Sequence, residues 1–258
     1  MDIYDFIVKT VEEAGNIVLQ ASERGFETLS KGGDPRDVVT SVDIEVNNFL
    51  TKEIQSVFPG DIIYSEESPK VAYGARMWAI DPIDGSSNFS RGIPHYSICM
   101  AQIENDEAVA GAVYNPATRE LFSFRKGGGA FLNGAPIRVS NISYLKDSFV
   151  LFHAGRKPEL ATWGGSSYAA LIGAAKKTSN LAGSALDACF VAAGRVEANI
   201  YGTLSTLDVA AAIGILTEAG GVVYTAKGET ALLSSVSEKI YMANSAEGAK
   251  ALIALLER

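Results

Sequence analysis

Histidine and cysteine are scarce in this sequence, which has two residues of each type among 258. His95 and His153 leave little room for a zinc cluster or for a phosphotransfer mechanism based on histidine. Cys99 and Cys189 lie in apolar stretches, so no disulfide framework is indicated and a reducing compartment suits the chain. Any metal site is therefore expected to use carboxylates.

An excess of positive charge is also lacking, because 22 Lys and Arg residues face 30 Asp and Glu residues and the net charge is −8. Nucleic acids and anionic membranes attract basic surfaces, so neither is an expected partner. No apolar run approaches the roughly 20 residues that span a bilayer. Residues 1–5 lack the basic and long apolar segments of a signal peptide, and we expect a cytoplasmic protein.

The rest of the composition is that of a globular protein with a large core. Hydrophobic residues make up 47% of the chain and charged residues 20%, which is ordinary for this class. Neither an internal repeat nor a low-complexity linker is evident. We expect a single domain over residues 1–258, with two subregions of about 1–145 and 146–258.

The spacing of apolar residues predicts several of the helices and strands. Apolar residues at helical spacing predict helices over 3–23 and 161–177. The segments 96–104, 107–114 and 120–124 are typical of an antiparallel meander. Helical spacing also places Cys189 toward a core, where a thiol is inert. The Cys-x5-Arg spacing from Cys189 to Arg195 is therefore not interpreted as a cysteine phosphatase site.

The rest of the chain is organised around residues 78–89. The apolar run 78–80 is typical of an interior strand. Pro82 cannot donate to a sheet ladder and predicts that the strand ends directly after Asp81. Gly85 allows a sharp turn, and the Ser-Ser-Asn sequence that follows favours the start of a helix.

This strand-to-helix bend has the residues of a binding site. Asp81 and Asp84 flank it, close enough to bind one or two hard cations through oxygen. The N–H groups of Gly85 and Ser86 at the helix start suit a phosphate. The same residues are also common in turns that cap a helix, so the bend alone leaves both interpretations open.

The string Asp-Pro-Ile-Asp-Gly-Ser-Ser-Asn-Phe over 81–89 resembles the signature of the inositol monophosphatase family, magnesium-dependent sugar-phosphate phosphatases. Residues 62–68 resemble a second family motif, an apolar strand that ends in Glu-Glu-Ser. Residues 207–221 resemble a third, an Asp that opens a small-residue helix running into Glu-Ala-Gly-Gly. The resemblance implies an α+β fold, a five-layered αβαβα sandwich, whereas the residue pattern alone indicates only mixed α+β.

The resemblance also implies a site with two or three Mg²⁺ ions. The implied metal ligands are Glu66, Asp81, the carbonyl of Ile83, Asp84 and Asp208. Glu66 would orient the attacking water with Ser86, where the family often has Thr, and with Asp43; Glu67 is more peripheral. Independently of the family, a Glu-Glu pair is costly to bury unless it is metal-bound or hydrogen-bonded. Asp43 and Asp208 also suit a second interpretation, as helix-start carboxylates favoured by the dipole.

The implied phosphate- and substrate-binding residues are Lys31, Gly85, Ser86, Ser87, Gly183, Ser184, Ala185 and Tyr201. Lys31 is also interpretable as a solvated loop charge, and Ser184 as a helix cap. Tyr201 stands where inositol-selective members place a Glu, and a phenol does not repel a second phosphate. Leu207 replaces the usual aromatic residue, which together with Ser184 and Ala185 leaves space at the substrate mouth.

The expected activity is hydrolysis of small sugar or polyol phosphates, with inositol 1-phosphate and fructose 1,6-bisphosphate both accepted, as in the similar archaeal-type members. Metal ions would activate a water and no covalent intermediate is needed. A 3′(2′),5′-bisphosphate nucleotidase and a non-catalytic phosphate-ligand binder on the same fold are the alternatives. A homodimer is expected, as is common in the family.

Overall fold

The protein is described by a computed structural model over residues 2–30, 38–66, 76–236 and 238–257. The helices of this part of the chain are α1 (Ile3–Arg24), α2 (Ser41–Val57), α3 (Ser86–Phe89), α4 (Ala161–Ala174), α5 (Ser184–Ala192), α6 (Thr206–Glu218) and α7 (Ala246–Leu256). None of these described helices has the length and apolar character needed to cross a membrane.

Most strands belong to two sheets, and β1 (Thr28–Ser30) and β2 (Val38–Thr40) form a separate antiparallel pair. The large sheet contains, in spatial order, β3 (Ile62–Ser65), β4 (Arg76–Asp84), β5 (Ser97–Glu104), β6 (Glu107–Asn115), β7 (Glu120–Arg125), β8 (Gly129–Leu132) and β9 (Ala135–Pro136). The small sheet contains β11 (Lys177–Ser179), β10 (Phe149–His153), β12 (Ala198–Thr203), β14 (Glu238–Ala243) and β13 (Val222–Thr225) in that order.

Alternation along β4 shows how the layers form. Trp78 and Ile80 point to one face of the large sheet and pack with α1 and α2. Met77 and Ala79 point to the other face and pack with α5 and α6, whose far side contacts the small sheet. The opposite face of the small sheet is covered by α4 and α7. This stacking confirms the five-layered αβαβα sandwich, because each sheet buries both of its faces against helices.

In the middle layer, formed by α5 and α6, α6 packs closely against the large sheet because it carries small residues. Gly214 of α6 lies against Phe124 of β7, and a Cβ atom at that position would stand 2.0 Å from Phe124 Cζ. Since no side chain fits in that space, the helix axis comes close to the large sheet. This packing fixes the N-terminus of α6, where Asp208 lies, relative to the end of β4.

Two predicted element ends were wrong. β4 does not stop after Asp81 but continues through Pro82 to Asp84, with a register shift against β5 between Asp81 and Asp84. Pairing of β4 with β3 ends at Ile80, so Pro82 stands in an irregular, one-sided part of the strand that needs no N–H from it. The helix predicted over 161–177 ends at Ala174, and Lys177–Ser179 forms an edge strand.

Candidate active site

A cavity of about 330 Å³ opens where the end of β4 meets α5, β12 and the start of α6. Its described lining consists of Val38, Glu66, Asp81, Ile83, Asp84, Gly85, Ser86, Ser87, His153, Arg156, Ala182, Ser184, Tyr201, Thr203, Leu204 and Asp208. The sequence motifs that are far apart in the chain therefore meet here. Lys31 and Glu67 lie outside the described residues.

The irregular end of β4 aims two buried carboxylates at this cavity. Asp81 Oδ1 accepts a hydrogen bond from the N–H of Ile83 at 3.1 Å, which closes the bulge locally. Asp84 Oδ1 accepts from the Ser184 hydroxyl at 2.7 Å, and its Oδ2 accepts from the Ala185 N–H at 3.0 Å. The first turn of α5 thus holds Asp84 in place from the second half of the chain.

Negative charge accumulates at this point. Burial raises the pKa of Asp81 well above its usual range, and the nearby carboxylates of Glu66, Asp84 and Asp208 raise it further. Burial also raises the pKa of Asp84 to about 7, although the hydrogen bonds from Ser184 and Ala185 oppose that rise. Among the described lining residues, Arg156 is the one with a permanent positive charge. A cation bound among these carboxylates would relieve their repulsion.

The donor set fits a hard cation, but the side chains are not yet gathered around one point. No group of three or more described His, Cys, Asp or Glu side chains has an arrangement ready to hold a metal ion. Asp84 is engaged by α5, and Asp208 accepts hydrogen bonds from the N–H and hydroxyl of Ser205 at 3.0 and 2.8 Å. These hydrogen bonds leave further lone pairs on each carboxylate, and the all-oxygen chemistry of the set is that of magnesium sites.

Ser86 is tied to two other expected site residues. Its hydroxyl lies 2.7 Å from Asp43 Oδ1 and 2.8 Å from the carbonyl oxygen of Ile83, either of which accepts its proton. Asp43 Oδ2 accepts from the Thr40 N–H at 2.8 Å and from its hydroxyl at 2.5 Å. Asp43 is thus both the third residue of α2 in its capping box and a hydrogen-bond partner of Ser86, while its role in orienting a water stays a prediction.

The turn at Gly85 brings backbone close to backbone. Gly85 has a φ of +85°, and a Cβ atom there would lie 3.1 Å from the carbonyl oxygen of His95. The helix that follows is a single turn, in which the N–H groups of Asn88 and Phe89 both donate to the Gly85 carbonyl. The N–H groups of Ser86 and Ser87 lie in the first turn of the helix, so they have no acceptor within the helix.

The expected substrate wall needs several corrections. The helix cap of α5 is Gly183, and Ser184 is its first residue, so the capping role expected for Ser184 was wrong. Ala185 does not line the cavity, since it is fully buried and contributes its N–H to Asp84. Gly183 is not among the lining residues either; its neighbour Ala182 is. Leu207 packs in the core, because it lies on the inward face of α6, and Leu204 lines the cavity in its place.

Six lining residues were missed by the sequence analysis: Val38, His153, Arg156, Ala182, Thr203 and Leu204. His153 ends β10 and pairs in parallel with Tyr201 of β12, where the rings stack with centroids 5.0 Å apart. Parallel strands bring their carboxyl ends to the same sheet edge. Recognising 149–153 and 198–203 as parallel neighbours was the signal that would have found His153 and Thr203.

Cys189 lies on a buried face of α5, as predicted. It is fully buried, and burial raises the pKa of its thiol well above the usual range. Arg195 forms an ion pair with Glu120. A buried thiol of raised pKa is not a nucleophile, so the Cys-x5-Arg spacing carries no chemistry here.

Comparison with known proteins gives the family of the chain. The model of the inositol monophosphatase family matches residues 2–258. A fructose-1,6-bisphosphatase/inositol-1-monophosphatase of Thermotoga maritima is 33% identical over 231 residues, covering 90% of this chain and 88% of the relative. A Nus factor SuhB of Xylella fastidiosa is also 33% identical over 231 residues, covering 88% of this chain and 83% of that protein.

A solved structure shares the whole fold. The structure of a Thermotoga maritima IMPase superposes with a TM-score of 0.89 at 30% identity, covering 100% of this chain and 97% of that one. These similarities place the protein in the class of phosphoric monoester hydrolases. The chain belongs to the inositol monophosphatase family, which confirms the resemblance of its three motifs.

Proposed function

We propose that this protein hydrolyses phosphate monoesters of small sugars and polyols with Mg²⁺ as its cofactor. The observation that carries the proposal is the gathering of Glu66, Asp81, Asp84 and Asp208 around one cavity, beside the hydrogen-bonded pair of Ser86 and Asp43. Carboxylates at the cavity repel a phosphate dianion, and cations bound between them would remove that repulsion. Hard cations bound by carboxylates are the usual solution.

The proposed metal ligands are Glu66, Asp81, the Ile83 carbonyl, Asp84 and Asp208, which together would hold two or three ions. Bound ions would supply neutralisation of the phosphate charge, a water of lowered pKa and stabilisation of the leaving alkoxide. Asp84 and Asp208 are held by hydrogen bonds from α5 and from Ser205, which leave further lone pairs on each carboxylate for a cation. The raised pKa of Asp81 supports this assignment, because burial and the nearby carboxylates of Glu66, Asp84 and Asp208 raise it, and a bound cation would relieve their repulsion.

In the proposed mechanism, Ser86 orients the attacking water. Because its hydroxyl proton is directed to Asp43 or to the Ile83 carbonyl, the Ser86 oxygen has lone pairs available to accept a hydrogen bond from that water. Asp43 is held by Thr40, so the pair is fixed before substrate arrives. Glu66 would complete the orientation, and the N–H groups of Gly85, Ser86 and Ser87 would bind phosphate oxygens.

Inositol 1-phosphate and fructose 1,6-bisphosphate are the proposed substrates. Tyr201 at the cavity brings no negative charge, and Arg156 on the same wall attracts a second phosphate. The name of the Thermotoga maritima relative, which includes both activities, supports this choice. The space at the mouth is bounded by Thr203 and Leu204 and not by Ala185 or Leu207. We also propose a homodimer, which light scattering on the purified protein tests.

The deciding experiment is phosphate release from a panel that contains inositol 1-phosphate, fructose 1,6-bisphosphate and adenosine 3′,5′-bisphosphate. Release from the first two should require magnesium, stop with EDTA and return when the ion is restored. Preference for the adenosine compound would indicate a nucleotidase. Failure to release phosphate from any of them, by a folded protein with magnesium, would support the non-catalytic alternative, for which a relative named as a Nus factor is a reason to look.

A further inference from the structure

Asp187 is a buried carboxylate that none of the proposed catalytic steps uses. It lies one turn into α5 with 2% of its side chain exposed, behind the cavity wall. Its Oδ1 lies 2.8 Å from His95 Nε2, and its Oδ2 accepts from the Tyr201 hydroxyl at 3.2 Å. A buried carboxylate is stable only when its oxygens are hydrogen-bonded, and these two donors fulfil that need.

The partner His95 is itself held in place. A Cβ atom on Gly183 would lie 2.7 Å from His95 Cδ2, so the ring is packed directly on the glycine that caps α5. The His95 carbonyl accepts from Asn88 Nδ2 at 2.8 Å. Because Asp187 can only accept when ionised, His95 Nε2 carries the proton of their hydrogen bond. Asp187 therefore has a fixed position on the side away from the cavity.

Tyr201 stands on the other side of Asp187 and is one of the residues that line the cavity. A phenol has one proton to donate and two lone pairs that accept. Burial raises the pKa of Tyr201 well above its usual range, so the phenol keeps its proton, and that proton is directed to Asp187. The His153 ring, stacked on Tyr201 at 5.0 Å, limits rotation of the phenol. What Tyr201 offers to a molecule in the cavity is an acceptor only.

We infer that Asp187 is a positioning residue for substrate recognition, which fixes Tyr201 as a hydrogen-bond acceptor for a hydroxyl group of the substrate. The inference rests on the proposed function and adds a selection rule to it. Polyol and sugar phosphates, which have hydroxyl groups beside the phosphate, should be favoured over phosphate esters that have none. Donation to a carboxylate also polarises the phenol, which strengthens its oxygen as an acceptor.

The test compares two substrates in three variants, Tyr201→Phe, Asp187→Ala and the double variant. Inositol 1-phosphate has hydroxyl groups near its phosphate, and p-nitrophenyl phosphate has none. We expect the KM for inositol 1-phosphate to rise about tenfold in Tyr201→Phe, the effect of losing one hydrogen bond. Asp187→Ala should raise it by about three- to tenfold, and the double variant by no more than Tyr201→Phe. For p-nitrophenyl phosphate, KM should stay within about twofold.

Glu197→Ala is the matched control. Glu197 is another buried carboxylate, which accepts from the Ser140 hydroxyl at 2.8 Å and the Phe149 N–H at 2.6 Å and lies outside the cavity lining. Its loss should lower the melting temperature while leaving the ratio of the two KM values unchanged. If Asp187→Ala instead raises both KM values equally, as a structural defect would, the inference is overturned. Multiplication of the two single effects in the double variant would overturn it as well.

A second measurement does not depend on turnover or on the folding of Asp187→Ala. The proton NMR spectrum of the wild type should contain a slowly exchanging phenolic proton that is absent from Tyr201→Phe and shows a cross-peak to the His95 ring. Lack of that proton would overturn the inference even if the enzyme is active. Conversely, a protein that shows the proton but releases phosphate from neither substrate would leave this network standing and refute the proposed function.

Discussion

Replacing Gly214 by alanine should loosen the attachment of α6 to the large sheet, and with it the position of Asp208. A Cβ atom at Gly214 would be 2.0 Å from Phe124 Cζ, 2.4 Å from its Cε1 and 2.5 Å from its Cε2. Both residues are buried, so the added methyl group must displace the Phe124 ring, which also lines a cavity of about 290 Å³ beside α6. Overpacking of this kind costs about 1–3 kcal/mol. For a chain of this size that corresponds to a fall in melting temperature of roughly 3–10 °C.

The assay is thermal unfolding followed by circular dichroism, with phosphate release measured well below the melting temperature. Gly165→Ala is the matched control, because Gly165 is also helical, lies in α4 and has nothing within 4 Å of its Cβ position. It should gain about 0.5–1 kcal/mol from the helix propensity of alanine. Adding Phe124→Leu to Gly214→Ala should recover part of the loss. A Gly214→Ala protein as stable as the wild type would refute the account of the middle layer.

Three other predictions concern the site. Asp84→Asn should lower phosphate release at least about a hundredfold while the circular dichroism spectrum stays unchanged. The reason is that it removes a negatively charged ligand from a site whose chemistry depends on the charge of the metal ions. Activity like that of the wild type would remove Asp84 from the ligand set. Cys189→Ser should retain activity and lose only thermal stability, and a folded variant with less than about one hundredth of the activity would reopen thiolate catalysis. At one magnesium concentration, the kcat/KM values for inositol 1-phosphate and fructose 1,6-bisphosphate should lie within about a thousandfold of each other, or roughly 4 kcal/mol in transition-state free energy. A larger preference for inositol 1-phosphate would refute the argument that an uncharged Tyr201 at the cavity accepts a second phosphate.

Local residue chemistry marked candidate residues only within one stretch of chain. The bend at the end of β4, with Asp81, Asp84 and Gly85, suited a capping turn as well as a binding site, and the resemblance of residues 81–89 to a family signature decided between the two. Even there, the end of β4 was misplaced. Whether proline ends a strand depends on which neighbour needs its N–H, and the sequence does not state that β3 stops pairing at Ile80.

The opposite wall of the cavity could not be derived in the same way. Ser184 looked like a helix cap because serine is a common cap, yet its hydroxyl binds Asp84, a residue 100 positions earlier. His153 and Thr203 had no motif to mark them, and they reach the cavity because β10 and β12 are parallel neighbours. Such pairings are properties of the tertiary fold, and their signal in a single sequence is weak.

The hydrogen bonds from α5 to Asp84 also bear on how the protein folds. They join residues 100 and 101 positions apart, and Asn88 adds a bond to the carbonyl of Leu181 across a separation of 93. Closing loops of that length costs entropy before any contact compensates for it, so such contacts form late in folding. In a refolding experiment, activity should therefore appear after most of the helical signal, in step with the docking of α5 onto the end of β4. A chain still emerging from the ribosome has no assembled site until the segment that contains Ser184 has been synthesised.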